Sequence, residues 1–230
     1  MLSYGSALPH ALPPLRVAVD LSFGSLMNPR EHRSLLAQVT RVYGINRQHA
    51  TPVDLHLSGL GNAAPASLPP TAHLESWESN GCTLLRAAAE EVWPPEQLIW
   101  LSPDAPRTLD ASLLHEQHTR ANNVFVLGGL IDRSVKKGET LQRAMASGAM
   151  AYRLPIREHA PRRDVHPILT LTACMHALCE VNGGAEWGDA FACAIPQRAL
   201  DRRAREEAQR HEHDVRGERG TTTASGPSAL

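Results

Sequence analysis

Lysine is almost absent from this chain of 230 residues: it occurs only at Lys136 and Lys137, among 23 lysine and arginine residues in total. The formal net charge is -1 at pH 7, which argues against a uniformly basic, polyanion-binding surface. No run approaches the roughly 18 apolar residues that a membrane-spanning helix needs. The N-terminal segment has neither a basic start nor a long apolar stretch. We therefore expect no signal peptide and an intracellular location in the cytoplasm or nucleus, with an organelle not excluded.

Four cysteines are present, but no two of them form a C-x-x-C pair and no histidines stand beside them at zinc-binding spacing. Their apolar or helical neighbours predict buried free thiols in a reducing compartment. The 12 histidines cluster only at 115–118 and 211–213, and neither cluster has the H-E-x-x-H pattern of a metal-binding helix. The sequence thus predicts no metal site. The cysteines are Cys82, Cys174, Cys179 and Cys193.

Three familiar glycine-rich motifs are also missing. The chain has neither the G-x-G-x-x-G turn of dinucleotide-binding folds nor the G-x-x-x-x-G-K-[ST] loop of P-loop proteins. It also lacks the G-x-S-x-G elbow that presents a nucleophilic serine. These absences argue against a dehydrogenase, a P-loop nucleotidase and a serine hydrolase.

What is present is an alternation of short β-rich runs with helical segments. Helical period or composition marks 29–47, 138–148, 166–181 and 185–195, whereas the Pro/Ala/Ser-rich segment 61–76 is interpreted as a connector. The alternation predicts an α/β fold with a parallel sheet flanked by helices, in which ligands bind beyond the carboxyl ends of the strands. Strands are predicted at 15–21, 53–60, 98–102, 123–129 and 149–156.

A single domain is expected at residues 15–197. In this interpretation residues 1–14 form an N-terminal extension, and residues 198–230 form a charged tail that is expected to be partly disordered. Trp187 and Phe191 are four positions apart on a predicted helix, and we interpret both as core residues.

The segment 125–144 combines a strand, paired glycines, an acid and several cations. Gly128 and Gly129 allow close approach to the main chain, which favours a ligand held by backbone contacts; an ordinary tight turn is the alternative. Asp132 follows, as a catalytic acid or as a turn cap. From Asp132 to Asp164 the chain carries eight cations against four acids, which indicates either a polyanion-binding surface or a solvated helix face.

Six blocks in order and at compatible spacing resemble the tRNA methyltransferases that modify N1 of the purine at position nine, a monomeric branch of the SPOUT superfamily. The amino-acid sequence of the glycine-rich block is most similar to that of the animal B-type paralogue. The blocks cover residues 17–198. They are DLSFGSLM (20–27), QVTRVYGINR (38–47), LIWLSPDAP (98–106), VLGGLIDRSVKKG (126–138), RLPI (153–156) and WGDAFACAIPQR (187–198).

The resemblance implies a SPOUT methyltransferase fold with a C-terminal trefoil knot, S-adenosylmethionine bound in that knot, and a tRNA substrate. Thr140 stands where some members have cysteine. Carried over by motif, the cofactor pocket consists of Leu101, Ser102, Gly128, Gly129, Leu130, Ile131, Asp132, Thr140, Leu154, Pro167, Ile168, Leu169 and Thr170.

Asp132 is the residue expected to carry chemistry. N1 of guanine bears a proton that must leave if methylation is to give a neutral product, and a carboxylate within reach can accept it. N1 of adenine bears no proton at neutral pH and needs no base. Asp132 is therefore expected to matter greatly for guanine and little for adenine.

We expect cations of the catalytic domain to contact phosphates. Arg47 has an alternative role, in which it stabilises the end of its own helix. Members of the family usually carry a lysine-rich N-terminal extension, whereas the first Lys or Arg of this chain is Arg16, at the start of the first predicted strand. Either the sequence is a trimmed form, or its arginines hold the RNA. The candidate RNA-binding residues are Arg47, Arg133, Lys136, Lys137, Arg153 and Arg157.

Two alternatives remain beside a position-nine tRNA methyltransferase. One is a non-catalytic, RNA-binding scaffold subunit of a tRNA-processing complex, against which the intact G-G-L-I-D loop argues. The other is a SPOUT methyltransferase that acts on rRNA. The choice between guanine and adenine, and the need for a protein partner, are left open by the sequence.

Overall fold

The computed structural model describes residues 12–131, 138–161, 165–166 and 168–195. Within them a six-stranded sheet has the order β3-β2-β1-β5-β4-β6, and every neighbouring pair is parallel. The predicted α/β architecture is thus confirmed. All five predicted strands are present, but the last ends at Tyr152 instead of residue 156, where a short helix begins; β3 was not predicted. The strands are β1 (Arg16–Asp20), β2 (Asp54–Ser58), β3 (Thr83–Leu84), β4 (Leu98–Leu101), β5 (Val124–Gly128) and β6 (Met150–Tyr152).

Helices connect the strands and cover the sheet. Three short 3-10 turns, at Gly24–Leu26, Pro65–Ser67 and Pro95–Gln97, lie in the connections. The α-helices are α1 (Pro29–Gln48), α2 (Thr71–Ser79), α3 (Ala89–Val92), α4 (Ala111–His115), α5 (Gln117–Asn122), α6 (Glu139–Ser147), α7 (Ile156–His159), α8 (Leu171–Asn182) and α9 (Trp187–Ala194).

The two faces of the sheet carry separate hydrophobic clusters because side chains alternate along each strand. Val17 and Val19 of β1 belong to the cluster that includes buried side chains of α1, α8 and α9. Ala18 and Trp100 belong to the opposite cluster, with Ala144 of α6. Both faces are therefore covered, as a parallel sheet requires.

Helix α1 begins near the edge of the sheet where the strands end, the carboxyl edge, and finishes at the opposite, amino edge. It starts with a capping box, in which Asn28 accepts from the amide of Glu31 and Glu31 accepts from the amide of Asn28. Near its end, Asn46 exchanges two hydrogen bonds with the main chain of Val53, directly before β2. Residues at the two ends of α1 consequently lie at opposite edges of the sheet.

Two local predictions were wrong. The segment 61–76 is not only a connector, because α2 begins at Thr71, directly after the last proline, and buries Trp77 against Tyr43 with ring centroids 4.3 Å apart. Helix α8 begins at Leu171 instead of residue 166, because the hydroxyl of Thr170 accepts from the amide of Ala173 and caps it there.

The side chains expected in the core are mostly there. Trp187 and Phe191 are buried and stacked, with ring centroids 5.4 Å apart, so their interpretation as core residues is confirmed. All four cysteines are free. The prediction that all are buried is wrong for Cys193, which is exposed on the outer face of α9, and Cys174 is only partly buried.

Among the described residues, no helix is both long enough and apolar enough to cross a bilayer.

Candidate functional site

The carboxyl ends of four neighbouring strands meet at one edge of the sheet. In the strand register Asp20 of β1 is opposite Gly128 of β5, and Leu101 of β4 is opposite both Leu127 and Tyr152. Ser102 follows Leu101 directly, so the structure brings the predicted strand-end residues together. This edge is where a doubly covered parallel sheet places its ligand.

A narrow cleft with a cavity volume of about 50 Å³ opens at this edge, between the ends of β4 and β5 and the first turn of α8. Its wall is mainly apolar and contains five residues of the predicted cofactor pocket. It also contains four residues that were not predicted as pocket members, Pro103, Leu127, Ile156 and Cys174. The predicted members that line it are Leu101, Ser102, Leu154, Ile168 and Leu169.

Ser102 provides the polar element of this mainly apolar wall. It is almost completely buried, and its amide donates to the carbonyl of Tyr152 over 2.9 Å. Its hydroxyl oxygen accepts a longer bond, 3.4 Å, from the amide of Asp104. An apolar slot with a fixed hydroxyl at one side suits a flat heteroaromatic group that carries a few hydrogen-bonding atoms.

The paired glycines are required by packing within the protein itself. A Cβ atom on Gly128 would lie 2.7 Å from the hydroxyl oxygen of Thr140, and one on Gly129 would lie 2.6 Å from the carbonyl oxygen of Asp20. The amide of Gly129 donates to that same carbonyl over 2.7 Å. The close approach expected of a ligand is thus made here by β1 and by the first turn of α6.

The remaining described members of the predicted pocket do not line the cleft. Leu130 and Ile131 follow the glycine pair and pack partly buried against the core. Thr140 touches Gly128, and Thr170 caps α8. Five predicted site residues lie outside the described residues, and their roles stay predictions: Asp132, Arg133, Lys136, Lys137 and Pro167.

Asp20 is a buried carboxylate at this edge that sequence reasoning did not select. One of its oxygens accepts from the amide and the hydroxyl of Ser22, and the other accepts from Ser58 at 3.1 Å and from the amide of Ala89 at 2.5 Å. Arg143 of α6 lies 3.7 Å from the first oxygen. The signal that could have found it is a lone acid at the end of an apolar strand, in the sequence VAVD.

The described cations expected to contact RNA do not form one group. Arg153 and Arg157 follow β6 at the carboxyl edge, and Arg153 makes a two-fold ion pair with Glu158, at 3.0 and 2.6 Å. Arg47 lies in the last turn of α1, at the amino edge, where it donates to the hydroxyl of Tyr43 over 3.2 Å. That contact is the helix-end role considered for Arg47, and the cleft is at the other end of α1.

The thiol in the cleft is held in its neutral form. Burial raises the pKa of Cys174 to about 12, so the group is a thiol and not a thiolate at physiological pH. Since the thiolate is the nucleophilic form, Cys174 contributes an apolar, polarisable surface to the cleft and no covalent chemistry.

Comparison with known proteins identifies what this fold and site resemble. The family model for tRNA (guanine(9)-N(1))-methyltransferase TRM10/TRM10A matches residues 10–200. Among curated relatives, tRNA (guanine(9)-N(1))-methyltransferase Trmt10A of Drosophila melanogaster is 27% identical over 186 residues, which cover 80% of this chain and 55% of that protein. tRNA methyltransferase 10 homolog B of Mus musculus is 32% identical over 152 residues, covering 65% and 45%. This chain spans about half the length of the curated relatives it matches.

Solved structures give the same result. A crystal structure of full-length spTrm10 in complex with SAH is 25% identical, with a TM-score of 0.65, covering 83% of this chain and 100% of that one. A dual-specific Trm10 from Thermococcus kodakaraensis is 16% identical and shares the fold, with a TM-score of 0.55 over 78% and 99% of the chains. The family model covers most of the sequence, and the chain therefore belongs to the TRM10/TRM10A family of tRNA (guanine(9)-N(1))-methyltransferases.

Proposed function

We propose that this protein transfers a methyl group from S-adenosylmethionine to N1 of guanine at position nine of tRNA. The observation that carries the proposal is the cleft at the carboxyl edge of the sheet, whose wall includes five residues of the predicted cofactor pocket. The family match and the structural likeness to spTrm10, solved in complex with SAH, support it.

The cleft fits the cofactor on chemical grounds. S-adenosylmethionine supplies an activated methyl group and carries a flat adenine ring. Leu101, Leu154 and Leu169 provide the apolar surface that such a ring needs, and the buried Ser102 provides a polar atom beside it. The first turn of α8 starts next to this wall, at Thr170.

Asp132 is proposed as the general base. It directly follows Ile131, the last residue before the undescribed segment, and its carboxylate would accept the N1 proton of guanine. Asp20 is proposed to act differently, since its oxygens are already engaged by four donors within the protein and by Arg143. Asp20 holds the end of β1 and the glycine pair in place.

The tRNA is proposed to be held by cations at the carboxyl edge. Arg153 and Arg157 of the described residues are there, and Arg133, Lys136 and Lys137 are the candidates in the segment between Ile131 and Gly138. The purine at position nine must leave its stack to reach the methyl group.

We further propose that the protein acts as a monomer, in the cytoplasm or nucleus where tRNA is processed. Sedimentation of the protein with and without tRNA tests its oligomeric state.

Titration with S-adenosylmethionine in a calorimeter tests the cleft. Ile168 is 42% exposed and lines the cleft, so Ile168→Trp should fill the slot without disturbing the core. We expect the wild-type protein to bind one equivalent and the variant to bind at least about tenfold more weakly. Met145→Trp is the matched control, because Met145 is exposed on α6 outside the cleft wall. Equal binding by all three proteins would place the cofactor elsewhere.

Mass spectrometry of tRNA nucleosides after reaction in vitro tests the activity and the base together. Transcripts with guanine or adenine at position nine should be compared, with Asp132→Asn assayed on each across pH. The proposal predicts N1-methylguanine and a large loss in the variant. A parallel reaction with rRNA completes the test. Cofactor binding without any methylated nucleoside in either RNA would favour the scaffold function, and methylation of rRNA alone would favour the other alternative.

A further inference from the structure

We propose that His49, His176 and Glu180 form a zinc-binding site that joins the C-terminal ends of α1 and α8. The site is at the amino edge of the sheet, opposite the candidate cofactor cleft. His49 is the residue that ends α1, and His176 and Glu180 stand one turn apart on α8. Their three ligand atoms lie within 4.8 Å of one another.

The distances match those of a tetrahedral zinc ion. Zinc binds imidazole nitrogen and carboxylate oxygen at about 2.0–2.2 Å, so two ligands of a tetrahedral ion lie roughly 3.3–3.5 Å apart. The Nε2 atom of His49 lies 3.4 Å from Oε1 of Glu180, and Nε2 of His176 lies 3.3 Å from the same oxygen. Two of the three edges thus have the required length already. The third edge, between the two imidazoles, is no longer than 4.8 Å.

The chemistry of the set also suits zinc. The two imidazoles are ligands of borderline softness, the carboxylate is a harder one, and two histidines with one glutamate are a ligand set that zinc uses in proteins. Three protein ligands leave a fourth position for water. The side chains are 14%, 29% and 27% exposed for His49, His176 and Glu180, so an ion and its remaining water can enter from solvent.

Thr51 supplies a partner for the second nitrogen of His49. A histidine that binds metal through Nε2 carries its proton on Nδ1, which needs an acceptor. The hydroxyl of Thr51 lies 3.1 Å from Nδ1 and donates its own proton to the carbonyl of Cys179 over 3.3 Å, which leaves its lone pairs free to accept. The Thr51 amide also approaches Nδ1, at 3.2 Å, and favours the opposite tautomer. Zinc at Nε2 would select the hydroxyl partner.

The two helix ends are aligned before any ion binds. Asn182 donates to the carbonyl of Thr51 over 3.0 Å, and a Cβ atom on Gly183 would lie 2.7 Å from the hydroxyl oxygen of Thr51. Thr51 can therefore reach α8 because residue 183 has no side chain. The ligands need little reorganisation, which favours binding by a site with only three protein ligands.

The test is zinc titration of the full chain after treatment with a chelator, followed by calorimetry and thermal unfolding. The chain has 12 histidines, so the informative quantity is the difference between variants. Glu180→Gln keeps the shape and a hydrogen-bond acceptor for both imidazoles but removes the charge that binds the ion. His176→Ala removes a ligand. His73→Ala is the control, because His73 is exposed on α2 outside the cluster.

We expect zinc to raise the melting temperature of the wild-type protein and of His73→Ala. Both cluster variants should lose one equivalent of zinc or bind it at least about tenfold more weakly. Thr51→Val should weaken binding by about tenfold without removing a ligand. Zinc binding and stabilisation that are unchanged in Glu180→Gln and His176→Ala would overturn the proposal, leaving a hydrogen-bonded junction.

Discussion

The Nη1 atom of Arg143 in α6 lies 3.7 Å from Oδ1 of Asp20 at the end of β1. The guanidinium also lies over the ring of Phe23, 3.9 Å from its centre, and is 26% exposed, whereas the carboxylate is completely buried. A partly solvated cation therefore compensates a buried charge, and it connects the helix that follows the candidate catalytic segment to the central strand of the sheet.

Asp20→Asn should destabilise the protein by about 2–4 kcal/mol. The amide group that replaces one carboxylate oxygen would face donors such as the Ala89 amide or the Ser22 amide, and Arg143 would keep only Glu90 of its two acidic partners. Urea unfolding measures the effect. Glu75→Gln, an exposed change on α2, should leave the midpoint unaltered, and an equally small effect at Asp20 would contradict the structure.

Alanine at the glycine pair should cost more at Gly129 than at Gly128. At Gly129 the added methyl group meets main-chain oxygen of a central strand, which cannot move, with an expected cost of about 3 kcal/mol. At Gly128 it meets the hydroxyl of Thr140, with an expected cost of about 1 kcal/mol. Thermal unfolding measures both.

A second substitution, at Thr140, can test which contact destabilises each glycine variant. Thr140→Ala should restore most of the stability lost in Gly128→Ala, because it removes the group that the new methyl meets, and it should not rescue Gly129→Ala. Gly44→Ala is a control in open space within α1 and should stabilise the helix by about 0.5–1 kcal/mol. Rescue of both glycine variants would show that the contact at Gly129 is misassigned.

Alkylation of the thiols should be selective and pH-dependent. Burial raises the pKa of Cys82, Cys174 and Cys179 to about 12, so these groups stay protonated and unreactive at pH 8, and become thiolates only as the pH approaches 12. Exposed Cys193 should take up iodoacetamide first. Peptide mass spectrometry identifies the site, and Cys193→Ser should abolish the fast phase. A fast phase that persists in that variant would contradict this assignment.

Removing Glu158 should strengthen the response of RNA binding to salt. Both terminal nitrogens of Arg153 donate hydrogen bonds to Glu158, and this pairing lowers the pKa of the Glu158 carboxyl group. Because that pKa is lowered, the pair survives until the pH falls well into the acid range. Glu158→Gln frees the guanidinium at neutral pH for a phosphate, which should steepen the logarithmic salt dependence of tRNA affinity by about 0.7–0.9.

The double variant with Arg153→Gln provides the control for that experiment. It should return the salt dependence to the wild-type value or below, because the freed cation is gone. Filter binding across a range of potassium chloride measures all three proteins. A slope that is the same in each would remove Arg153 from the RNA contacts.

The alternation of strands and helices, and the edge at which the site forms, could be predicted because they depend on local patterns. Periodicity placed α1, and the glycine at 148 marked the end of α6 with a φ of 74°. The two-residue strand β3 was missed because Thr83 and Leu84 are too short a run to show any alternation. Thr170 is a favoured N-cap residue, and recognising it in the sequence would have placed the start of α8 correctly.

The composition of the site was harder to predict, for physical reasons. Cys174 reaches the cleft because α8 packs across the ends of β4 and β5, and no motif contains that contact. The group of His49, His176 and Glu180 joins two helix ends that are far apart in the chain, so a search for local histidine patterns could not find it. Gly128 and Gly129 were predicted to allow close approach to the main chain, and the groups that approach them in the structure belong to β1 and α6; their contact with a cofactor stays a prediction.

The strand order has a kinetic consequence. The central strand β1 pairs with β5, so that Val17 is opposite Phe125, and the cleft wall combines segments near residues 101, 127, 154 and 169. Pairing of such distant segments requires closure of long loops, and the entropy cost of closure comes before any stabilising contact forms. The sheet should therefore form slowly and the cleft late. The methyl donor would then meet a binding surface only in chains that have completed the sheet, which makes its binding a reporter of successful folding.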